Sequence, residues 1–465
     1  MEVVRLIIQF IAGVTGFLIA VMSIVLFLQF RWPAAAMWGL KVITSALSPL
    51  FVTVGLLTFV VGFATSSVFI SVVGIYVTFI YFLHIITITR PPDSASGFEQ
   101  AFGLNWKNKI KSGQKKYFLP YRSVLKLPSV PEPRLEQNIS FATIPDTDRK
   151  LLCDIWQPPE NIRTSGLAFI YIHGSAFYIL DKDCGTRPLF RHLGAQGHVI
   201  MDIAYRLAPE TDLMGMINDV KRAVVWMKEN AGRYGVDPDG IILGGASSGG
   251  FLALMAGYTM NDSIFTPGEL QGNDLSVSAV IAEYPATDLE ALYYHTNQHL
   301  TTRSQPGQLK KRVPTEMPAW MKKRIGKDFH RLGFDKRFEN VGTIASLMGG
   351  HPDECPERYK LFSPITHVNS KCPPTLLIQG EHDIMAPVKS TRLLYARLIK
   401  EKVPAILHTL PQTDHAFDLF LPDIAPASHN AFYDIERFMA LMNGKRDVQY
   451  KLISRKEEIS MQKKR

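Results

Sequence analysis

The chain predicts an α/β domain, a mostly parallel sheet with flanking helices and an inserted cap, preceded by transmembrane helices. Three observations lead there. Strand-like and helix-like runs alternate from Ile139 onward, three long uncharged stretches fill the front of the chain, and a Gly-x-Ser-x-Gly turn joins a strand-like run to a helix-like one.

In the apolar front, Leu6 to Phe30, Val42 to Phe63 and Val68 to Thr89 carry no charged side chain, and each is long enough to cross a hydrocarbon core of about 30 Å as a helix. They predict three spans, about 6–30, 42–63 and 68–89, in a unit covering residues 1–89. A signal peptide competes for the first, with Arg5 as its basic region and Ala34-Ala35-Ala36 as its cleavage site. Its apolar stretch exceeds the roughly 7 to 15 residues of such a peptide, and further spans follow. Pro49 is tolerable inside the second span, and His84, near the end of the third, reads as an interface residue. Arg31 and Lys41 lie between the first two spans, and Arg90, Lys107, Lys109, Lys111, Lys115, Lys116 and Arg122 follow the third. Basic flanks favour the cytoplasmic side, so a multi-pass membrane protein with a cytosolic catalytic domain is expected, with the endoplasmic reticulum as the suggested membrane.

Residues 90–135, punctuated by Pro91, Pro92, Pro120, Pro128, Pro131 and Pro133, read as a basic linker or as an arm folded over a cleft. A domain at 136–445 follows. Its expected strands are Leu151 to Trp156, Gly166 to Ile172, His198 to Ile203, Gly240 to Leu243, Val277 to Glu283, Thr375 to Gln379 and Ala405 to Leu410. Several are continuously apolar, as strands buried on both faces are. Helices are expected at Asp219 to Tyr234, Phe251 to Tyr258, Ser390 to Glu401 and Ala427 to Leu441. An insertion at about 291–356 reads as a cap. Its basic residues, Lys310, Lys311, Arg312, Lys322, Lys323, Arg324 and Lys327, are interleaved with Met317, Trp320, Met321 and Phe329. It is either a solvated lid or a lid resting on anionic lipid. Residues 446–465 form a basic tail.

The net charge of +9 points to a membrane surface before nucleic acid, because no nucleic-acid module accompanies the basic residues. Cys153, Cys184, Cys355 and Cys372 have no paired spacing, so neither a disulfide framework nor a zinc site is indicated. The sequons at Asn138 and Asn261 would go unused on the cytosolic side.

Gly245-Ala246-Ser247-Ser248-Gly249 carries the chemistry. A serine hydroxyl attacks a carbonyl when a tight turn holds it clear of its helix, with a base in reach and N–H groups aimed at the developing oxyanion. The glycine frame selects Ser247 over Ser248. Asp383 follows the strand-like run Thr375 to Gly380, and His415 follows Ala405 to Leu410. Asp414 and Asp418 are closer to His415 along the chain, but chain adjacency does not create a hydrogen bond, so Asp383 is the expected acid. His408 lies inside a strand and reads as a sheet residue.

The run Ile170 to Phe177 contains His173-Gly174-Ser175-Ala176, and Tyr205-Arg206-Leu207-Ala208-Pro209-Glu210 and Phe362-Ser363-Pro364 follow at intervals. From Leu151 to Leu441 the chain resembles the hormone-sensitive-lipase-like branch of the α/β-hydrolases. The order Ser247, Asp383, His415 is the order such a fold expects. The resemblance implies an oxyanion hole at Gly174, Ser175 and Ala176, with Ser248 supplying a further N–H from the elbow. The chain departs from the family where His173-Gly174-Ser175-Ala176 replaces H-G-G-G, and where Gly245-Ala246-Ser247-Ser248-Gly249-Gly250 replaces G-D-S-A-G-G. The added β-carbons are expected to exclude bulky or tertiary-alcohol esters.

The function expected is a membrane-anchored serine carboxylesterase or lipase acting on an apolar ester, with the lipid bilayer as partner and no cofactor or metal. Two rivals are an acyltransferase or deacetylase for a specialised metabolite, and a catalytically silent hydrolase-fold binding protein. Oligomeric state is open.

Overall fold

The computed structural model describes residues 2–30, 35–110, 112–260, 262–297 and 344–443. The expected cap from Lys310 to Phe329, the tail 446–465, Arg31, Lys111 and Asn261 lie outside them.

Eight strands form one sheet. They are β1 (Arg134–Thr143), β2 (Lys150–Gln157), β3 (Ala168–Ile172), β4 (Val199–Ile203), β5 (Ile241–Ala246), β6 (Ala279–Glu283), β7 (Thr375–Gly380) and β8 (Ala405–Leu410). Their spatial order is β1-β2-β4-β3-β5-β6-β7-β8. β1 and β2 pair antiparallel, as do β2 and β4, and the rest of the ladder is parallel. Every residue of β3 to β7 is buried. Alternate residues feed two cores: Ala168, Ile170 and Ile172 join one, Phe169 and Tyr171 the other. That two-faced burial is why these strands read as apolar runs.

Helices Leu213–Glu229 and Ser248–Tyr258 cover the first face. Helix Arg187–Ala195, the helix at 426–443 and the segment after the apolar front cover the second. That segment is neither a free linker nor a flap over the cleft. Phe98, Phe102, Trp106, Ile110, Leu119 and Leu127 are buried in the second core, Leu119 N–H donates to Glu436 Oε1 (2.8 Å), and Arg122 pairs with Asp434 (2.7 Å). The arm is a strap that completes the core.

At the front, residues Glu2–Phe27 and helix Val68–Ile88 are each long and apolar enough to cross a membrane. The expected second span is not one straight helix. Met37–Ala46 and Ser48–Ala64 meet at a 69° bend, with Pro49 in the first turn of the second piece, where proline starts a helix more readily than it continues one. Helices Ser48–Ala64 and Val68–Ile88 form a tight antiparallel hairpin. A β-carbon on Gly74 would fall 2.3 Å from the Phe59 amide nitrogen, so only glycine permits this approach.

Two expectations about the front are corrected. His84 is fully buried, its Nε2 2.9 Å from Ser45 Oγ and its Nδ1 2.8 Å from Gln412 Oε1, so it is a docking residue and not an interface residue. Lys41 is not a loop charge that sets topology. It lies within helix Ala35–Ala46, is buried, and makes its contacts inside the protein.

Candidate active site

β3 has β4 on one side and β5 on the other, so the chain departs in opposite directions at their carboxyl ends and a crevice opens there. The turn after β5 carries Ser247 in a left-handed conformation (φ 56°, ψ −121°) before helix Ser248–Tyr258 begins. The turn fits because Gly245 and Gly249 press on the end of β3, where a β-carbon would lie 2.3 Å and 2.0 Å from the Ile172 carbonyl oxygen. Ser247 N–H donates to Glu283 O (2.8 Å), which fixes the turn to β6.

Three strand ends converge on this turn. Ser247 Oγ is 2.9 Å from His415 Nε2, and His415 Nδ1 is 2.9 Å and 3.0 Å from the two carboxylate oxygens of Asp383. Asp383 Oδ1 also accepts the N–H groups of Met385 (2.8 Å) and Ala386 (2.7 Å), and Oδ2 accepts Gln379 Nε2 (2.7 Å). A carboxylate so surrounded by donors accepts a hydrogen bond from the imidazole Nδ1–H and leaves the unprotonated Nε2 facing the hydroxyl. Asp414 instead accepts the backbone N–H groups of Ile384 (2.9 Å) and His415 (2.8 Å), and Asp418 accepts from Tyr284 Oη. Tyr284 packs edge-on against His415, with ring centroids 4.6 Å apart. Burial and the charge of Asp418 push Glu283 well above the usual carboxylate range, and burial pushes Asp418 up as well. His408 is a sheet residue, held by Asp434 (2.5 Å) and the Arg90 carbonyl (3.0 Å).

The turn after β3 lies against the elbow. Gly174 is packed so closely that a β-carbon would come within 3.1 Å of Ala246 O and 3.4 Å of Ser247 Cβ. Ala176 (φ 46°) is exposed. Ser175 is buried, and its N–H donates to Ser248 Oγ (2.7 Å). The two serine hydroxyls are 2.9 Å apart, Ser175 Oγ is 2.6 Å from Tyr205 Oη, and Tyr205 donates to His173 O (3.0 Å). Burial pushes the Tyr205 phenol up to about 12, so it stays a donor. This hydroxyl ladder was not anticipated from the sequence. Its signal was present in two departures from the family pattern, Ser175 for glycine and Ser248 for alanine, which face each other in space.

Contacts from the apolar front to this site were also unforeseen. Trp38 Nε1 donates to the His415 carbonyl (2.8 Å), and its ring packs edge-on against Phe420. No sequence pattern pairs residues so far apart.

The fold and the crevice define an α/β-hydrolase. The crystal structure of Esterase B from Lactobacillus rhamnosis (HN001) shares this fold with a TM-score of 0.50 at 18% identity, over 70% of this chain and 90% of that one. The BD-FAE family model matches residues 153–324 and 314–398, more than half of the chain, and the chain belongs to that family. Among curated proteins of Mycobacterium tuberculosis (strain ATCC 25618 / H37Rv), it is 30% identical over 289 residues to "Probable carboxylic ester hydrolase LipM", a match covering 62% of this chain and 57% of LipM. It is 28% identical over 325 residues to "Esterase LipQ", covering 69% of this chain and 68% of LipQ. The match thus spans less than two thirds of LipM's length.

Proposed function

We propose that this chain is a membrane-anchored serine hydrolase that cleaves an apolar carboxylic ester through an acyl-serine intermediate. The observation that carries the reading is the hydrogen-bonded series Ser247 Oγ, His415 Nε2, His415 Nδ1 and Asp383, with Ser247 raised on its own turn. In the proposed cycle His415 Nε2 takes the Ser247 proton as Oγ attacks the ester carbonyl, and Asp383 steadies the resulting imidazolium. N–H groups of the Gly174-Ser175-Ala176 turn and of Ser248 bear the oxyanion, each worth about 10² to 10³ in rate. His415 then protonates the leaving alcohol, and water, deprotonated by the same imidazole, releases the acid.

Two features support an apolar substrate and a bilayer setting. Glu2–Phe27 and Val68–Ile88 have the length and composition of membrane spans, and Trp38 between them touches the histidine loop. Names of relatives support an ester substrate, since LipQ is called an esterase and LipM a probable carboxylic ester hydrolase. The basic residues after Ile88 favour a cytosolic position for the domain.

Ser247→Ala tests the reading. Hydrolysis of p-nitrophenyl butyrate by the full chain in detergent is expected to fall at least about 10⁴-fold, with loss of fluorophosphonate labelling and an unchanged thermal melt. Retained activity in that variant refutes the assignment. Release of the protein from membranes by alkaline carbonate alone, without detergent, refutes the anchor.

A further inference from the structure

Helix Ala35–Ala46 delivers one cation to the joint between the two loops that carry the base and its acid. Lys41 Nζ is 2.6 Å from His382 Nδ1, next to Asp383, and 3.8 Å from Asp414 Oδ2, next to His415. Its third contact is the Leu28 carbonyl, at 2.7 Å, just past the first apolar helix. Asp414 already spans both loops, since its Oδ1 accepts the N–H of Ile384 from the acid loop and that of His415 from the histidine loop. Its Oδ2 has no hydrogen-bond partner among the described residues, and Lys41 is the cation beside it. Burial and the Lys41 charge lower His382 to about 4, so its imidazole is neutral and Nδ1 accepts from the ammonium. One turn earlier on the same helix face, Trp38 holds the His415 carbonyl.

An ammonium is a costly way to fill a helix interface, because an apolar side chain of similar volume packs there without desolvating a charge. What the charge adds is register: it fixes His382 and Asp414 relative to each other, and with them the residues next in the chain. We propose that Lys41, assisted by Trp38, is a positioning residue for the serine reaction, locking the Asp383 loop to the His415 loop from the N-terminal apolar layer. The proposal rests on the serine-hydrolase reading above. The apolar layer is then a working part of the active site and not only a tether.

The test uses the full chain in detergent and compares Lys41→Met, Lys41→Arg and Trp38→Phe by kcat, KM and thermal melting. Lys41→Met is expected to lower kcat about 10- to 100-fold with little change in KM, since a small misalignment of the base costs that much. Lys41→Arg keeps the charge and is expected to restore kcat. Trp38→Phe keeps an aromatic ring, removes one hydrogen bond, and is expected to lower kcat about 3- to 10-fold; it stands as the test should Lys41→Met fail to fold. A folded Lys41→Met with unchanged kcat, or a Trp38→Phe of full activity, overturns the proposal. If Ser247→Ala is inactive while these variants are fully active, only this inference falls; if Ser247→Ala retains activity, the underlying reading falls with it.

Discussion

The two ends of the triad are held by different means. Ser247 is positioned from inside the sheet by neighbours in sequence: β5 before it, its helix after it, and glycines at 245 and 249 that let the turn press on the end of β3. His415 sits on a loop braced from outside, by Tyr284 across the sheet, by Asp414 bridging to the acid loop, and by Trp38 and Lys41 from the far end of the chain. A nucleophile under a strained backbone needs steric confinement, which local sequence supplies. A base that must rotate and change protonation needs charge and hydrogen bonds on several sides, and those come from wherever the fold brings them. The serine end is therefore expected to tolerate changes in the N-terminal layer, and the histidine end to report on them.

Asp383→Asn strikes the histidine end hardest. Asparagine brings an N–H₂ toward the donors Met385 N–H, Ala386 N–H and Gln379 Nε2, and turning to relieve that conflict disturbs the imidazole tautomer. Turnover of p-nitrophenyl butyrate is expected to fall about 10⁴-fold with the elbow intact, visible as a preserved thermal melt. If Asp414→Asn caused the larger loss, the roles given to the two carboxylates would have to be exchanged.

Gly249→Ala strikes the serine end. Its β-carbon would meet the Ile172 carbonyl oxygen at 2.0 Å and the His173 carbonyl oxygen at 2.7 Å, and both are backbone atoms that cannot swing aside. Overpacking of this kind costs about 1–3 kcal/mol, and the displaced turn is expected to cost about 10²-fold in kcat. A thermal melt and a single-substrate assay check both. Wild-type values in each would mean that the elbow yields, and the contrast between a rigid serine end and a braced histidine end would fail.

The same contrast sorts what could be read from the sequence. β2 to β8 were legible because burial on both faces makes several of them continuous apolar runs and the others largely apolar, and Ser247, Asp383 and His415 each follow one of these strands. β1 was missed, since its residues are mostly exposed or half-buried and its register with β2 shifts twice, so no alternation builds up. Helix Arg187–Ala195 was missed because Arg187, Arg191 and His192 dilute its short apolar face of Leu189, Phe190 and Leu193. The arm's buried residues, Phe98, Phe102, Trp106 and Leu119 among them, are scattered through short turns without a period. Lys41 and His84 looked like membrane-flank residues because nothing near them in sequence reveals His382, Asp414 or Gln412 as partners. Long-range polar pairing leaves no local trace.

The smallest expected effect bears on the serine end, at the hydroxyl ladder beside the turn. Ser248 Oγ holds the Ser175 N–H, one of the donors proposed for the oxyanion, at 2.7 Å. While that bond lasts, the amide must leave one acceptor to serve another, so its contribution to the transition state is reduced by the strength of the bond it gives up. Ser248→Ala removes the competing acceptor and leaves the elbow's own N–H in place. It also removes one neighbour of Ser175 Oγ, which keeps Tyr205 Oη at 2.6 Å and the Phe177 N–H at 2.8 Å, so the turn retains two of its supports. A rise in kcat of about 3- to 10-fold at unchanged KM is therefore expected, the value of one neutral hydrogen bond returned to the transition state. A fall of the same size would mean that the hydroxyl shapes the turn more than it occupies the amide, and the serine end would then depend on polar bracing as the histidine end does.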